Sequence, residues 1–373
     1  MEQELINLCN QFNISGEFDT LEVIHNGHIN STFLVQFKQN DSIKKYILQK
    51  MNNYVFPHPD EVMQNITSVT NHIITKLQQQ NKPTSRKTLI FKSTANGLPF
   101  IIDEYGDYWR VCEYIKNSTT FNTTDDLTLI EETGKAFGEF QNLLADYPAS
   151  DLNIIIPHFH NTPNRYQIFK TAILNNHSGR ASLVQDEIEQ FLQLEELATT
   201  MYAMQKQGIL KLKVTHNDTK CNNVLFDTNT KQHLCVIDLD TVMPGLIGFD
   251  FGDAIRFIAN TSVEDETNLS NVNLDLNKFK AFSQGFLSEV KDTLSPPEKE
   301  TLSLGAITIT IECGLRFLTD YLDGDKYFKT NYPDHNLVRA RCQLKLAQSM
   351  IKHKQKMDST INELCNESQK NMQ

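Results

Sequence analysis

Residues 215–223 read Thr-His-Asn-Asp-Thr-Lys-Cys-Asn-Asn, so that His216, Asp218 and Asn223 fall at offsets 0, +2 and +7. This is the spacing of a phosphoryl-transfer loop, in which the Asp orients the attacking hydroxyl and the Asn holds a magnesium ion. Asp238 follows fifteen residues after Asn223, inside Val236-Ile237-Asp238-Leu239-Asp240. A carboxylate at the end of a hairpin's return strand can share that ion, because Mg2+ takes hard oxygen ligands and keeps several waters. Lys220 has the reach to meet the transferring group. The competing reading makes all of these ordinary turn residues, with Asp238 a strand-end cap. The apolar flanks, the hairpin and the downstream Asp, all in order, favour the chemistry.

Asp250-Phe251-Gly252 resembles a second metal-binding tripeptide, but it lies twenty-seven residues past Asn223, beyond the hairpin. Asp238 is therefore the better ligand. Asp250 and Asp253, with His216, are expected to be structural residues that brace the loop through hydrogen bonds. No Ala-Pro-Glu segment follows Asp238, which disfavours a protein substrate.

The nucleotide side is written less sharply. Gly27-His28-Ile29-Asn30-Ser31-Thr32 precedes a strand and offers backbone N–H groups to phosphates, yet it holds one glycine rather than a full glycine-rich motif. Lys50, at the end of the next strand, is the candidate phosphate contact. Gln49 is the competing register, since a slip of one residue reverses the face. The usual helix Glu partner is in doubt, because Glu61 sits very early and the following turn carries Gln64 and Asn65. At the connector, the Glu113 C=O and Ile115 N–H are placed to bond a base through the main chain.

The elements that must position these groups follow from periodicity. Short β-branched and aromatic runs at 32–37, 45–51, 88–92 and 108–114 predict strands. One helix interrupts them: Pro59 stands at its first position, Asp60 and Glu61 favour the positive dipole end, and Val62, Ile66, Val69, Ile73 and Leu77 recur at helical spacing. Long amphipathic helices are expected at 126–144, 182–207, 277–290, 297–322 and 335–356, with strands at 210–215, 223–226 and 233–237 between them. Gly134 and Gly138 would allow close helix packing. The polar stretch 358–373 is expected to fray. The organisation is α+β: a nucleotide-binding lobe at 1–112, a hinge at 113–117, a catalytic and acceptor-binding lobe at 118–357, and a tail.

Composition narrows the partners. The 373 residues carry a formal net charge of −11, which removes the overall attraction to phosphate backbones on which non-specific nucleic-acid binding depends. Seven cysteines without a CxxC pair do not read as a disulfide framework or a zinc site. The most apolar long stretch, 302–322, is interrupted by Glu312, Arg316 and Asp320, so no lipid-facing span is expected. A cytoplasmic location is the expectation.

HNDTKCNNVLFD followed by VIDLDTVMPGLIGFDFGDAIRF resembles the aminoglycoside phosphotransferase and choline kinase superfamily, and within it the N-acetylhexosamine 1-kinases. The similarity extends to GHINSTFLV, LQKMNNYVFPHPDEVMQNI, WRVCEYI and ECGLRFLTDYLDGDKYF. The resemblance implies a bilobal protein-kinase-like fold, with a small antiparallel β-rich lobe and a larger helical lobe. It also implies ATP and Mg2+ as cofactors, Asp218 as the catalytic carboxylate, and Asn223 and Asp238 as metal ligands. Asp240 would be a second carboxylate at the substrate, and Arg316 and Tyr327 would contact a sugar. Phe257 would supply an apolar face for its ring. Without the resemblance, Arg316 reads as the i,i+4 partner of Asp320 on an amphipathic helix.

The expected activity is transfer of the γ-phosphoryl group to the anomeric hydroxyl of an N-acetylhexosamine by a monomer or homodimer. An aminoglycoside phosphotransferase, a choline, ethanolamine or homoserine kinase, and an inactive kinase-like binding protein are the alternatives. A quaternary ammonium acceptor wants an aromatic cage, which a single Trp and a nearby Arg316 do not favour.

Overall fold

The computed structural model describes residues 2–24, 30–40 and 42–370. The chain divides into one unit of Met1–Thr119, Asp146–Ile156 and Leu225–Met243, and a second of Thr120–Ala145, Pro157–Val224 and Pro244–Gln373. Two later segments thus return to the first unit, one of them carrying Asp238 and Asp240. A single linear boundary does not describe that path.

In the first unit, β1 (Glu17–Ile24), β2 (Ser31–Gln39), β3 (Ser42–Lys50), β4 (Ile101–Ile102) and β5 (Tyr108–Glu113) form an antiparallel sheet in the order β1-β2-β3-β5-β4. Side chains alternate with period two, so the pairs Leu48–Val111 and Lys50–Trp109 share one face while Ile47–Cys112 and Gln49–Arg110 share the other. The first face buries Val35, Phe37, Tyr46, Leu48, Trp109 and Val111 against Leu5, Leu8 and Cys9 of α1 (Glu2–Cys9) and against Phe12. The expected strand at 88–92 is reduced to one bridge, Phe91 to Cys112, on the part of the β5 edge that β4 leaves open, where the Lys92 N–H donates to the Val111 carbonyl (2.8 Å) and the Glu113 N–H to the Ile90 carbonyl (2.9 Å).

Helix α2 (Pro59–Gln79) begins with Pro and buries the predicted stripe of Val62, Ile66, Val69, Ile73 and Leu77. Its buried Asn65 ties the returning segments to the unit. The amide nitrogen donates to the carbonyls of Asn153 (2.9 Å) and Val242 (2.8 Å), and the amide oxygen accepts the Asn153 N–H (2.8 Å). The expected hairpin is formed by Val224–Asp227 and His233–Val236, with Ser118–Thr119 as a third strand.

The second unit is helical: α3 (Leu127–Leu143), α4 (Thr162–Asn175), α5 (Gln185–Gln193), α6 (Glu195–Lys206), α7 (Ile247–Ile258), α8 (Leu276–Val290), α9 (Pro296–Glu300), α10 (Leu302–Asp323) and α11 (His335–Lys370). Asp126 caps α3 by accepting the Thr128 N–H at 2.9 Å. Helices α3 and α8 meet backbone to backbone at Gly134, where an added Cβ would stand 2.2 Å from the Phe282 carbonyl oxygen.

Helix α10 is long and apolar enough to cross a membrane by composition, but 83% of its apolar window is buried inside the protein. The expected helix at 182–207 is broken at Leu194, and that at 297–322 is interrupted at Thr301, whose hydroxyl turns back to the Pro297 carbonyl (2.7 Å). The last helix does not fray at 358, because Met357, Ile361 and Leu364 continue its buried stripe.

Candidate active site

The loop between Thr215 and Asn223 is rigid by construction. His216 is fully buried, with the rings of Phe137 and Phe140 edge-on at 5.6 and 5.9 Å, and its Nδ1 accepts the Asp218 backbone N–H at 3.2 Å. Asn217 takes a positive φ of 65°, a conformation that Asn tolerates better than most residues.

Asp250, in the first turn of α7, accepts the N–H groups of His216 (2.7 Å) and Asn217 (2.8 Å) and the side-chain amide of Gln141 (2.7 Å). Burial pushes its pKa up, and the His216 ring and these donors offset only part of that rise. Asp253 accepts the Thr219 N–H (3.1 Å) and pairs with Arg256 (2.9 Å). Burial raises its pKa, but the guanidinium outweighs this and leaves it below the usual carboxylate range. Both acids therefore serve the loop's backbone. Gln141 was not legible as a partner, since an interior Gln on α3 has no local signature.

Within this frame the side chains of Asp218, Lys220 and Asn223 converge. The Asn223 amide nitrogen donates to the Asp218 carbonyl (2.8 Å) and to its Oδ2 (3.0 Å), and Lys220 Nζ lies 3.0 Å from the same oxygen. Asp218 is thus held by two donors. With its nitrogen committed, Asn223 has its amide oxygen, the harder donor, left for a cation.

Asp238 belongs to the first unit. It is exposed, adopts a left-handed φ of 61°, and makes no capping hydrogen bond to the turn it opens. Asp, like Asn, tolerates this conformation better than most residues. Among the described residues no group of three or more His, Cys, Asp or Glu is gathered for a metal. Each unit by itself offers one hard oxygen donor of the kind magnesium takes, the Asp238 carboxylate in the first and the Asn223 amide oxygen in the second.

Asp240 is buried and engaged by side chains of its own unit. Both of its oxygens are engaged, Oδ1 by Arg110 and Oδ2 by the Asn30 side-chain amide nitrogen (2.6 Å), and Asn30 Oδ1 accepts the Asn52 backbone N–H (3.0 Å). Asn30 is therefore committed as well. Gly27 and His28 lie outside the described residues.

Lys50 ends β3. It shares the Trp109 face of the sheet and pairs with Asp107, whereas Gln49, the competing register, faces Arg110 and accepts its Nε–H at 3.0 Å. Arg110, read from the sequence only as part of a connector strand, is a buried cation on that face. Burial opposes its charge, but Asp240 overrides the penalty and raises its pKa. The carboxylate that meets Lys50 is that of Asp107, and α2 gives Arg110 the Met63 sulfur. At the connector, Glu113 pairs through its side chain with Lys92 (2.6 Å), and the Ile115 N–H meets no acceptor among the described residues.

On α10, Arg316 does not pair with Asp320. Asp320 accepts the N–H groups of Lys326, Tyr327 and Phe328 at 2.8–2.9 Å and the Asn336 amide, which folds the loop after Gly324 against the helix. The Arg316 guanidinium lies 5.9 Å from the Tyr327 ring centre and 5.3 Å from that of Phe328, and Tyr327 is 75% exposed. Phe257 is partly buried beside the Arg256 guanidinium (5.5 Å).

The profile of the phosphotransferase enzyme family matches residues 20–269. The fold resembles that of a microcompartment-associated aminopropanol kinase (TM-score 0.61, 15% identity, 96% of this chain and 99% of that one). It also resembles a spectinomycin phosphotransferase in complex with ADP and spectinomycin (TM-score 0.56, 14% identity, 94% and 98%). A third similar structure is the choline kinase of Cryptosporidium parvum (TM-score 0.56, 14% identity, 98% and 99%).

Proposed function

The chain belongs to the phosphotransferase enzyme family, and from that premise we propose that it transfers the γ-phosphoryl group of ATP to the anomeric hydroxyl of an N-acetylhexosamine, giving the sugar 1-phosphate. The observation that carries the reading is the braced loop, in which Asp218 is held between Lys220 and Asn223. Asp218 aligns the hydroxyl and accepts its proton as the new O–P bond forms and the bond between the γ-phosphorus and the β-bridging oxygen breaks. The transition state for this transfer is loose, so alignment matters more than base strength. Lys220 offsets negative charge beside that carboxylate. Asn223 and Asp238 would hold magnesium, which when bound neutralises phosphate charge.

The acceptor assignment rests on the sequence resemblance and on Arg316, whose charge meets no carboxylate among the described residues. Such a cation suits a neutral, oxygen-rich acceptor better than an aminoalcohol or an aminoglycoside. The enzyme is proposed to act in the cytoplasm, as a monomer or homodimer. The test is an ADP-release screen across N-acetylhexosamines, hexoses, choline, homoserine and aminoglycosides, with phosphorus NMR to locate the new phosphate. Turnover confined to amines, or phosphate on a hydroxyl other than the anomeric one, would reject the proposal.

A further inference from the structure

The segment leading into α4 packs on α10 through Glu312. That carboxylate is 2% exposed and is fully used: one oxygen meets His160 Nδ1 (2.9 Å) and the other accepts the Thr162 hydroxyl (2.7 Å). One turn further along each helix, on the same faces, stand Arg165 and Arg316. Neither guanidinium makes an ion pair among the described residues. Arg165 donates from Nη2 to the Phe159 carbonyl (3.0 Å), while its Nε–H is buried without any acceptor. Burial, and then the neighbouring Arg316, lower the Arg165 pKa.

This wall adjoins the catalytic loop. The His160 ring lies 5.4 Å from that of Phe249, next to Asp250, and His160 is within electrostatic range of Asp253, which binds the Thr219 N–H. Two adjacent cations whose nearest carboxylate is already spent, one with an orphaned buried donor, make a site that lacks an acceptor oxygen.

We propose that Arg165 and Arg316 together clamp a planar oxygen acceptor on the substrate, an amide carbonyl or a carboxylate, and that Arg165 is the residue that excludes cationic acceptors. The proposal rests on the reading of Arg316 as an acceptor contact and deepens it. A guanidinium fork matches such an oxygen in direction as well as charge, which an ammonium does not.

The experiment is calorimetric binding of N-acetylglucosamine, glucuronate, glucose, glucosamine and choline to wild type, Arg165→Met and Arg165→Lys, with a non-hydrolysable ATP analogue and magnesium present. Wild type is expected to bind at least one of the first two more tightly than glucose, and the cations most weakly. Arg165→Met should lose about tenfold or more for the favoured ligand, change little for glucose and gain affinity for glucosamine. Arg165→Lys should lose the favoured ligand yet still reject the cations, and it carries the test if the Met variant fails to fold.

Unchanged affinities in both variants, a uniform loss across all five ligands, or tightest wild-type binding of a cation would each overturn the clamp. Glucuronate bound in the expected pattern without N-acetylglucosamine would uphold the clamp and remove the hexosamine reading. N-acetylglucosamine bound equally by all three proteins would do the reverse, and binding of none of the five overturns both.

Discussion

Arg110 and Asp240 meet as a buried ion pair across 130 residues of sequence, with each side chain 4% exposed. The pair ties the central strand pair of the sheet to the loop whose Asp238 lies two residues earlier, and Asn30 fixes the second carboxylate oxygen. Its geometry therefore bears on where Asp238, the carboxylate proposed to hold magnesium, is placed.

Removing one partner leaves the other charged and buried. Arg110→Met or Asp240→Leu alone should cost about 3–5 kcal/mol, while the double substitution should cost less than the sum. Urea unfolding of the four proteins measures this, and strictly additive losses would show that the pair is not coupled.

Asp218→Asn should lower turnover by about 10²- to 10⁴-fold. Its melting temperature should stay close to wild type, because the loop is held by Asp250, Asp253 and the buried His216. Coupled ADP release and a thermal melt together check this, and wild-type rates would reject the catalytic role.

Asp250→Asn keeps the shape of the side chain but leaves one oxygen for three donors. One donor must then face an amide NH2, at a cost of about 1–3 kcal/mol, and turnover should fall with the displaced loop. Thermal unfolding and kcat, measured on the same preparation, give both numbers.

Gly134→Ala places a Cβ 2.2 Å from the Phe282 carbonyl oxygen, so α3 or α8 must shift. The expected loss is about 1–3 kcal/mol in chemical denaturation. An unchanged midpoint would mean that the helices are not packed this closely.

Burial pushes the Glu312 pKa up, but His160, Thr162 and Arg165 outweigh it and hold the carboxyl below its ordinary value. The folded state therefore binds this proton less tightly than the unfolded chain. The resulting stability is fully present above the unfolded value of about 4.3 and is lost as pH falls through the lower folded value. Glu312→Gln should flatten that part of the stability profile, as followed by denaturant midpoints between pH 6 and pH 3 (~3 units of range).

The contacts of the candidate site were legible in the sequence where they depend on local spacing. His216, Asp218, Lys220 and Asn223 lie within one loop, so their offsets alone predict that they serve one another, and the structure joins Asp218 to both Lys220 and Asn223. The α2 stripe and the hairpin were equally readable, because a period of 3.6 or 2 is a local property. Breaks at Leu194 and Thr301 were not readable, since amphipathic periodicity runs on through them.

What only the tertiary structure decided is which charges meet. Sheet register turned Lys50 to one face and Gln49 with Arg110 to the other, and no sequence distance reveals that Asp240 pairs with Arg110. Likewise Asp320, four residues from Arg316, spends its oxygens on the backbone of the following loop, which leaves Arg316 beside Arg165 without a carboxylate. An ionisable side chain satisfies its charge with whichever partner the fold brings within reach, and that choice is made across the chain, not along it.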